Sequence, residues 1–127
     1  MLTMAMLHDA QRVLSGVINK TPVIPSTGIT QDCRLFLKAD CLQKTGAFKL
    51  RGAYYKIATL SDEEKARGVI ACSAGNHAQG VAFAARDMGI HAVICIPQGA
   101  PCRRTRTYAW DRTRYHRWRT RPDRKYR

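Results

Sequence analysis

The chain has 127 residues, enough for one small domain with its own core, and its hydrophobic content of 45% belongs to a globular composition. No apolar run approaches the roughly 20 residues that cross a bilayer, and no basic-then-apolar leader opens the sequence, which excludes a membrane-spanning or signal-led reading. The net charge of +13 is concentrated at one end. Residues 102–127 hold ten arginines and Lys125 against Asp111 and Asp123, a net +9, whereas residues 1–101 carry only +4.

Met6, Leu7, Ala10, Val13, Leu14, Val17 and Ile18 recur at helical spacing and predict an amphipathic helix ending near Lys20. Pro22 lacks an amide proton and disfavours helix in Thr21, so Thr21-Pro22-Val23 reads as extended chain and Ser26-Thr27-Gly28 as a loop. Leu35-Phe36-Leu37 is a short strand. A second helix is expected from about Phe48 to Ala58, which places Lys49 in its first turn, beside Phe48 and after the Gly46 turn. Most lysines at such a position are solvated charges. One apolar flank, however, can free the amine for imine chemistry. Ser61-Asp62-Glu63-Glu64 is a capping box for a short helix that stops at Gly68.

Val69-Ile70-Ala71-Cys72 and His91-Ala92-Val93-Ile94-Cys95-Ile96 suit buried parallel strands, with a helix from about Asn76 to Met88 between them. This is a βαβ unit whose burial should be greatest at Val69, Ile70, Val81, Val93 and Ile94. The loop Ser73-Ala74-Gly75-Asn76-His77 lies at the carboxyl edge of the sheet and opens a helix, a position that favours an anion. Asn76 taken alone is better explained as the cap of that helix.

Five cysteines (Cys33, Cys41, Cys72, Cys95, Cys102) form no CxxC pair and no metal spacing with the four histidines. They read as reduced thiols of a cytoplasmic protein with no metal site. Residues 102–127 contain no Leu, Ile, Val, Met, Phe or Glu, and their aromatics show no regular period. An unfolded basic tail is expected there. Its arginines and aromatics suit non-specific nucleic-acid binding at most.

Three stretches, Lys38-Ala39-Asp40-Cys41-Leu42-Gln43, Thr45-Gly46-Ala47-Phe48-Lys49-Leu50-Arg51-Gly52-Ala53 and Ser73-Ala74-Gly75-Asn76-His77, resemble the threonine/serine dehydratase (threonine ammonia-lyase) group of the fold type II pyridoxal-phosphate enzymes. The likeness runs from about Leu7 to Pro101 and includes Thr21-Pro22 after the first helix. It implies an α/β fold: part of a tryptophan synthase β-like fold type II enzyme, with residues 1–101 a truncated catalytic domain and 102–127 a non-family tail. It implies pyridoxal 5'-phosphate as cofactor, bonded to Lys49, which also takes the substrate's α-proton. Phe48 would pack beside the cofactor, Asn76 would bond its ring hydroxyl, and Ser73, Ala74, Gly75, Asn76 and His77 would hold the substrate carboxylate.

The implied reaction turns threonine into 2-oxobutanoate and ammonia, or acts likewise on serine. A serine racemase-like enzyme is the alternative, and a homo-oligomer is the family habit. Asp40 stands where the family usually has glutamate, and Ala47 where it often has serine. The family's glycine-rich phosphate loop and its partner for the pyridine nitrogen come later in the chain than these 127 residues, so the expectation for this polypeptide is an inactive site. Thr105-Arg106-Thr107-Tyr108 still resembles the family's Thr-Arg-x-Tyr-Gly, but the sequence then turns Arg- and Trp-rich. A shifted reading frame in a GC-rich gene yields that pattern, in which case another frame of the coding DNA resumes a Gly-Ala-x-Val-Val strand after Tyr108.

Overall fold

Helices and a parallel sheet share the core, and a mostly exposed two-stranded antiparallel pair forms a separate small sheet. The computed structural model describes residues 2–30, 32–98 and 113–118, with the side chains of 117 and 118 left aside. Helix α1 spans Met4–Leu14, and the Thr3 hydroxyl accepts from the Met6 N–H at 3.3 Å. It is shorter than its apolar pattern predicts. Ser15 leaves helical geometry and Gly16 takes φ 77°, so the stop comes well before Lys20, and Pro22 plays no part in it. Val17 and Ile18 still pack against the core after the turn.

Strands β1 (Val23–Ser26) and β2 (Leu35–Lys38) pair antiparallel, Val23 opposite Lys38 and Ser26 opposite Leu35. A 3-10 turn over Asp40–Leu42 then leads into helix α2, Lys49–Ala58. Helix α3, Asp62–Arg67, carries the expected capping box: the Ser61 hydroxyl accepts from the Glu64 N–H at 3.2 Å, and the Glu64 carboxylate accepts from the Ser61 N–H at 2.8 Å. Gly68 ends it at φ 81°, where an added Cβ would lie 2.7 Å from the His91 carbonyl oxygen. Only glycine fits that crossing of chain on chain.

Strand β3 (Val69–Cys72), helix α4 (Asn76–Asp87) and strand β4 (Ala92–Pro97) form the βαβ unit, and β3 and β4 are parallel with Val69 opposite Ala92 and Cys72 opposite Cys95. Strand β5 (Thr113–Trp118) lies parallel on the other side of β4, giving the order β3-β4-β5. The core holds Leu50, Ala53, Tyr54 and Ile57 from α2, Ala78, Val81, Ala84 and Ala85 from α4, and Ala71, Ala92, Ile94 and Ile96 from the sheet. Small residues let α4 approach closely: at Gly80 a Cβ would meet the Lys49 carbonyl oxygen at 3.1 Å and the Ala53 side chain at 3.2 Å. Tyr54 on α2 donates to Asp87 on α4 at 2.8 Å, and burial together with that carboxylate pushes its phenol up to about 12.

Two expectations are corrected. Ile70 is 74% exposed, because Ala71 and Ile94 take the face that α4 covers and Ile70 points the other way. The basic segment is not unfolded over Thr113–Trp118. There the backbone joins the β4 ladder, Thr113 and Tyr115 are half-buried, and Arg114 and His116 are exposed. Strand pairing supplies what aliphatic side chains do not, since threonine and aromatic residues suit a pleated surface. The rest of the segment expected to be a tail, residues 102–112 and 119–127, lies outside the described residues.

Candidate functional site

The lysine segment is held by polar groups that come from three places in the chain. Gln43, only 4% exposed, clamps the peptide of Asn19: its amide oxygen accepts from the Asn19 N–H at 2.9 Å, and its amide nitrogen donates to the Asn19 carbonyl at 3.1 Å. Asn19 returns a bond from its side chain to the Leu42 carbonyl at 3.0 Å. One turn into α2, Arg51 forks onto Asp40, with Nε to Oδ2 at 3.1 Å and Nη2 to Oδ1 at 2.9 Å. The buried Thr21 hydroxyl donates to the same carboxylate at 2.5 Å, and Lys38 Nζ bonds the Thr21 carbonyl. The Arg51 guanidinium foremost, then the Thr21 hydroxyl, hold the Asp40 carboxyl down at about 2. The Thr21-Pro22 step, the Asp40 turn and the first turn of α2 are thereby one unit.

On that unit Phe48 and Lys49 face outward. Phe48 is 56% exposed at the helix N-cap, and Lys49 Nζ lies 4.4 Å from the centre of its ring. Lys49 is itself exposed, so contact with apolar groups is shown on the Phe48 side alone. Gly80 of α4 sits against the Lys49 carbonyl, and Asn76 begins that helix four residues earlier, about 6 Å along its axis. The first turn of α2 therefore lies against the second turn of α4, and His77 from the first turn of α4 lines the same pocket as Lys49.

Gly75, not Asn76, occupies the cap position of α4, and no side chain caps it. Ser73 turns its hydroxyl to the Gly75 N–H at 3.2 Å, and its own N–H donates to the Cys95 carbonyl at 3.0 Å. Asn76 and His77 are exposed at the start of the helix. An open pocket of about 910 Å³ runs along α2 to β3, and Phe48, Lys49, Arg51, Cys72 and His77 are among its walls. Ser73, Ala74, Gly75 and Asn76 are not among them. The predicted residues thus fall into two neighbouring groups: the lysine pair with His77 in the pocket, and the Ser73–Asn76 turn at its border.

The donor set fits an anionic aromatic aldehyde. It offers an accessible amine, an aromatic face, an apolar wall at Ile57, Leu60, Val69 and Ile70, and uncapped amides at a helix start. Sequence reasoning missed the roles of Thr21 and Gln43. A polar residue at a loop carries no period, and only a partner distant in sequence (Asn19, 24 residues from Gln43) gives it meaning. Among the described residues no three His, Cys, Asp or Glu side chains converge on a metal position, and no helix is long and apolar enough to cross a membrane.

A model of the family described as pyridoxal-phosphate dependent enzyme matches residues 14–115. The chain is 50% identical over 103 residues to the L-threonine ammonia-lyase of Thermotoga maritima, covering 80% of this chain and 26% of that protein. It is 46% identical over 97 residues to a serine racemase of Oryza sativa subsp. indica, covering 75% of this chain and 29% of that protein. The structure of maize serine racemase superposes with a TM-score of 0.83 at 36% identity, over 94% of this chain and 37% of the other. The chain therefore spans about a quarter of the length of the curated relatives it matches.

Proposed function

This chain belongs to the pyridoxal-phosphate dependent enzyme family and has part of the fold type II architecture, and we propose that it carries the lysine side of a threonine or serine ammonia-lyase site. The observation that carries this reading is the placement of Phe48 and Lys49 at the start of α2, packed on α4 near Gly80, with His77 of α4 in the same pocket. Lys49 would bond the cofactor and exchange the substrate's α-proton through its Nζ. Phe48 would lie along the cofactor, and Asn76 would bond its ring hydroxyl. The amides of Ser73–His77 would take the substrate carboxylate. Bound there, pyridoxal phosphate supplies an electron sink for the bonds at the substrate's α-carbon. The product from threonine would be 2-oxobutanoate with release of ammonia.

A serine racemase is the second reading, favoured by the likeness to the rice and maize proteins. In a polypeptide of these 127 residues the pocket is open and Lys49 exposed, so positioning, which can be worth roughly 7–11 kcal/mol, is weak and turnover should be absent. The test is to add pyridoxal phosphate to the full chain, reduce with borohydride and map the modified peptides. The expected result is one dominant adduct at Lys49, lost in Lys49→Ala. Even labelling of Lys20, Lys38, Lys44 and Lys56 alongside Lys49 would refute the reading.

A further inference from the structure

Cys72 and Cys95 are register partners at neighbouring positions of the parallel strands β3 and β4. Partners in register present their side chains on the same face of a sheet. Both are free thiols, Cys72 exposed and Cys95 half-buried, and both line a shallow depression of about 420 Å³ with Ile70 and Ala71. We propose that this pair is a two-thiolate site for a soft monovalent cation, namely Cu(I). The proposal does not depend on the function assigned to Lys49.

Neighbouring strands lie about 4.7–4.9 Å apart, at the short end of the about 4.4–6.8 Å between Cα atoms that a disulfide spans, so the two thiols are close enough to act on one ligand. Two thiolates on opposite sides of one ion stand roughly 4–5 Å apart, twice a thiolate–metal bond that is about 2.3 Å for zinc and somewhat shorter for two-coordinate Cu(I). That separation matches the strand spacing. His116 is in register with Cys95 on the far side, on β5, two strand spacings from Cys72. The described residues bring no third donor to the pair. Two thiolates without further ligands suit Cu(I), which soft sulfur donors select, and not Zn(II), which takes four ligands in structural sites.

On binding, two S–Cu bonds form and two S–H groups release their protons to solvent, with no change of oxidation state. The product carries one negative charge. The site sits at the foot of the Ser73 turn, whose first N–H is bonded to the Cys95 carbonyl.

The reduced full chain should be titrated without oxygen against Cu(I) presented by the chromophoric chelator bathocuproine disulfonate. Wild type is expected to withdraw one equivalent. Cys72→Ser, and separately Cys72→Ala, should weaken binding by more than the roughly 10–100-fold that loss of an outer-shell partner costs. Cys72 is exposed, so both variants should keep the wild-type circular dichroism spectrum and melting temperature. The triple variant Cys33→Ser, Cys41→Ser, Cys102→Ser should bind as wild type does. Retention of the ion by the Cys72 variants, or its loss in the triple variant, would overturn the assignment. So would displacement of the copper by equimolar Zn(II).

Discussion

Replacing Asp40 by asparagine tests whether the Thr21–Asp40–Arg51 cluster holds the lysine segment in place. The substitution keeps shape and one acceptor but removes the charge that Arg51 meets at 2.9 and 3.1 Å. The carboxyl stands at about 2 in the fold against an ordinary 3.8. That difference corresponds to roughly 2 kcal/mol, and to about 1–2 kcal/mol once solvent screening of a half-buried pair is allowed for. Because the folded value lies below the unfolded one, the contribution is complete above the ordinary carboxylate range and is lost as pH falls through about 2. Urea unfolding of wild type and Asp40→Asn at a series of pH values reads this directly. A gap of about 1–2 kcal/mol is expected at pH 7, narrowing from about pH 5 and closing near pH 2. Equal stability at pH 7 would show that the ion pair is immaterial. A gap that stays constant down to pH 2 would show that the loss comes from packing and not from charge.

Gly68→Ala is expected to cost about 1–3 kcal/mol in a thermal or urea melt, from a positive φ and a Cβ against the His91 carbonyl, while Gly28→Ala, with open space around it, should cost little. Gln43→Ala leaves the Asn19 N–H and carbonyl without their partner and should lose about 1–3 kcal/mol, whereas Lys49→Ala, exposed on the same unit, should stay within about 0.5 kcal/mol of wild type. Ending the chain at Pro101 removes β5 and the Tyr115 contact with the core, so the melting temperature should drop by several degrees, measured by circular dichroism. The same truncation should remove any affinity for duplex DNA. In the full chain that affinity should ignore sequence and fall with salt by about 0.9 in logarithmic slope per phosphate contacted.

Local signals carried most of the frame. The Ser61 and Glu64 pair, four residues in sequence, forms both of its bonds, and the apolar runs at Val69–Cys72 and Ala92–Pro97 pair in parallel around α4. Errors came where a strong local signal masked a weaker one that acts first. Pro22 looks like the natural stop for α1, yet Gly16 turns the chain sooner. Ile70 reads as core because apolar runs are usually covered on both faces, but α4 takes only the Ala71 face. Thr113–Trp118 reads as tail because it lacks aliphatics, although a strand beside β4 needs a backbone ladder and one half-buried ring at Tyr115.

Within Thr45–Ala53 the side chains divide by face. Thr45, Ala47, Leu50 and Ala53 are buried, and Phe48, Lys49 and Gly52 are exposed along the pocket. The sequence therefore displays its chemistry and its scaffold in one stretch, and only the exposed half looks like a reactive site from residue type. The buried half does different work. Leu50 and Ala53 dock α2 on α4, Gly80 brings the Lys49 carbonyl within reach of that helix, and Arg51 pins the first turn to Asp40. An amine on an exposed helix turn has no fixed position of its own. Its position here comes from groups up to 30 residues away in sequence, such as the Thr21 hydroxyl that Arg51 reaches at 3.3 Å. Loss of the Asp40 cluster should therefore blur where Lys49 points before it unfolds the chain, because the sheet and α4 make no direct use of it.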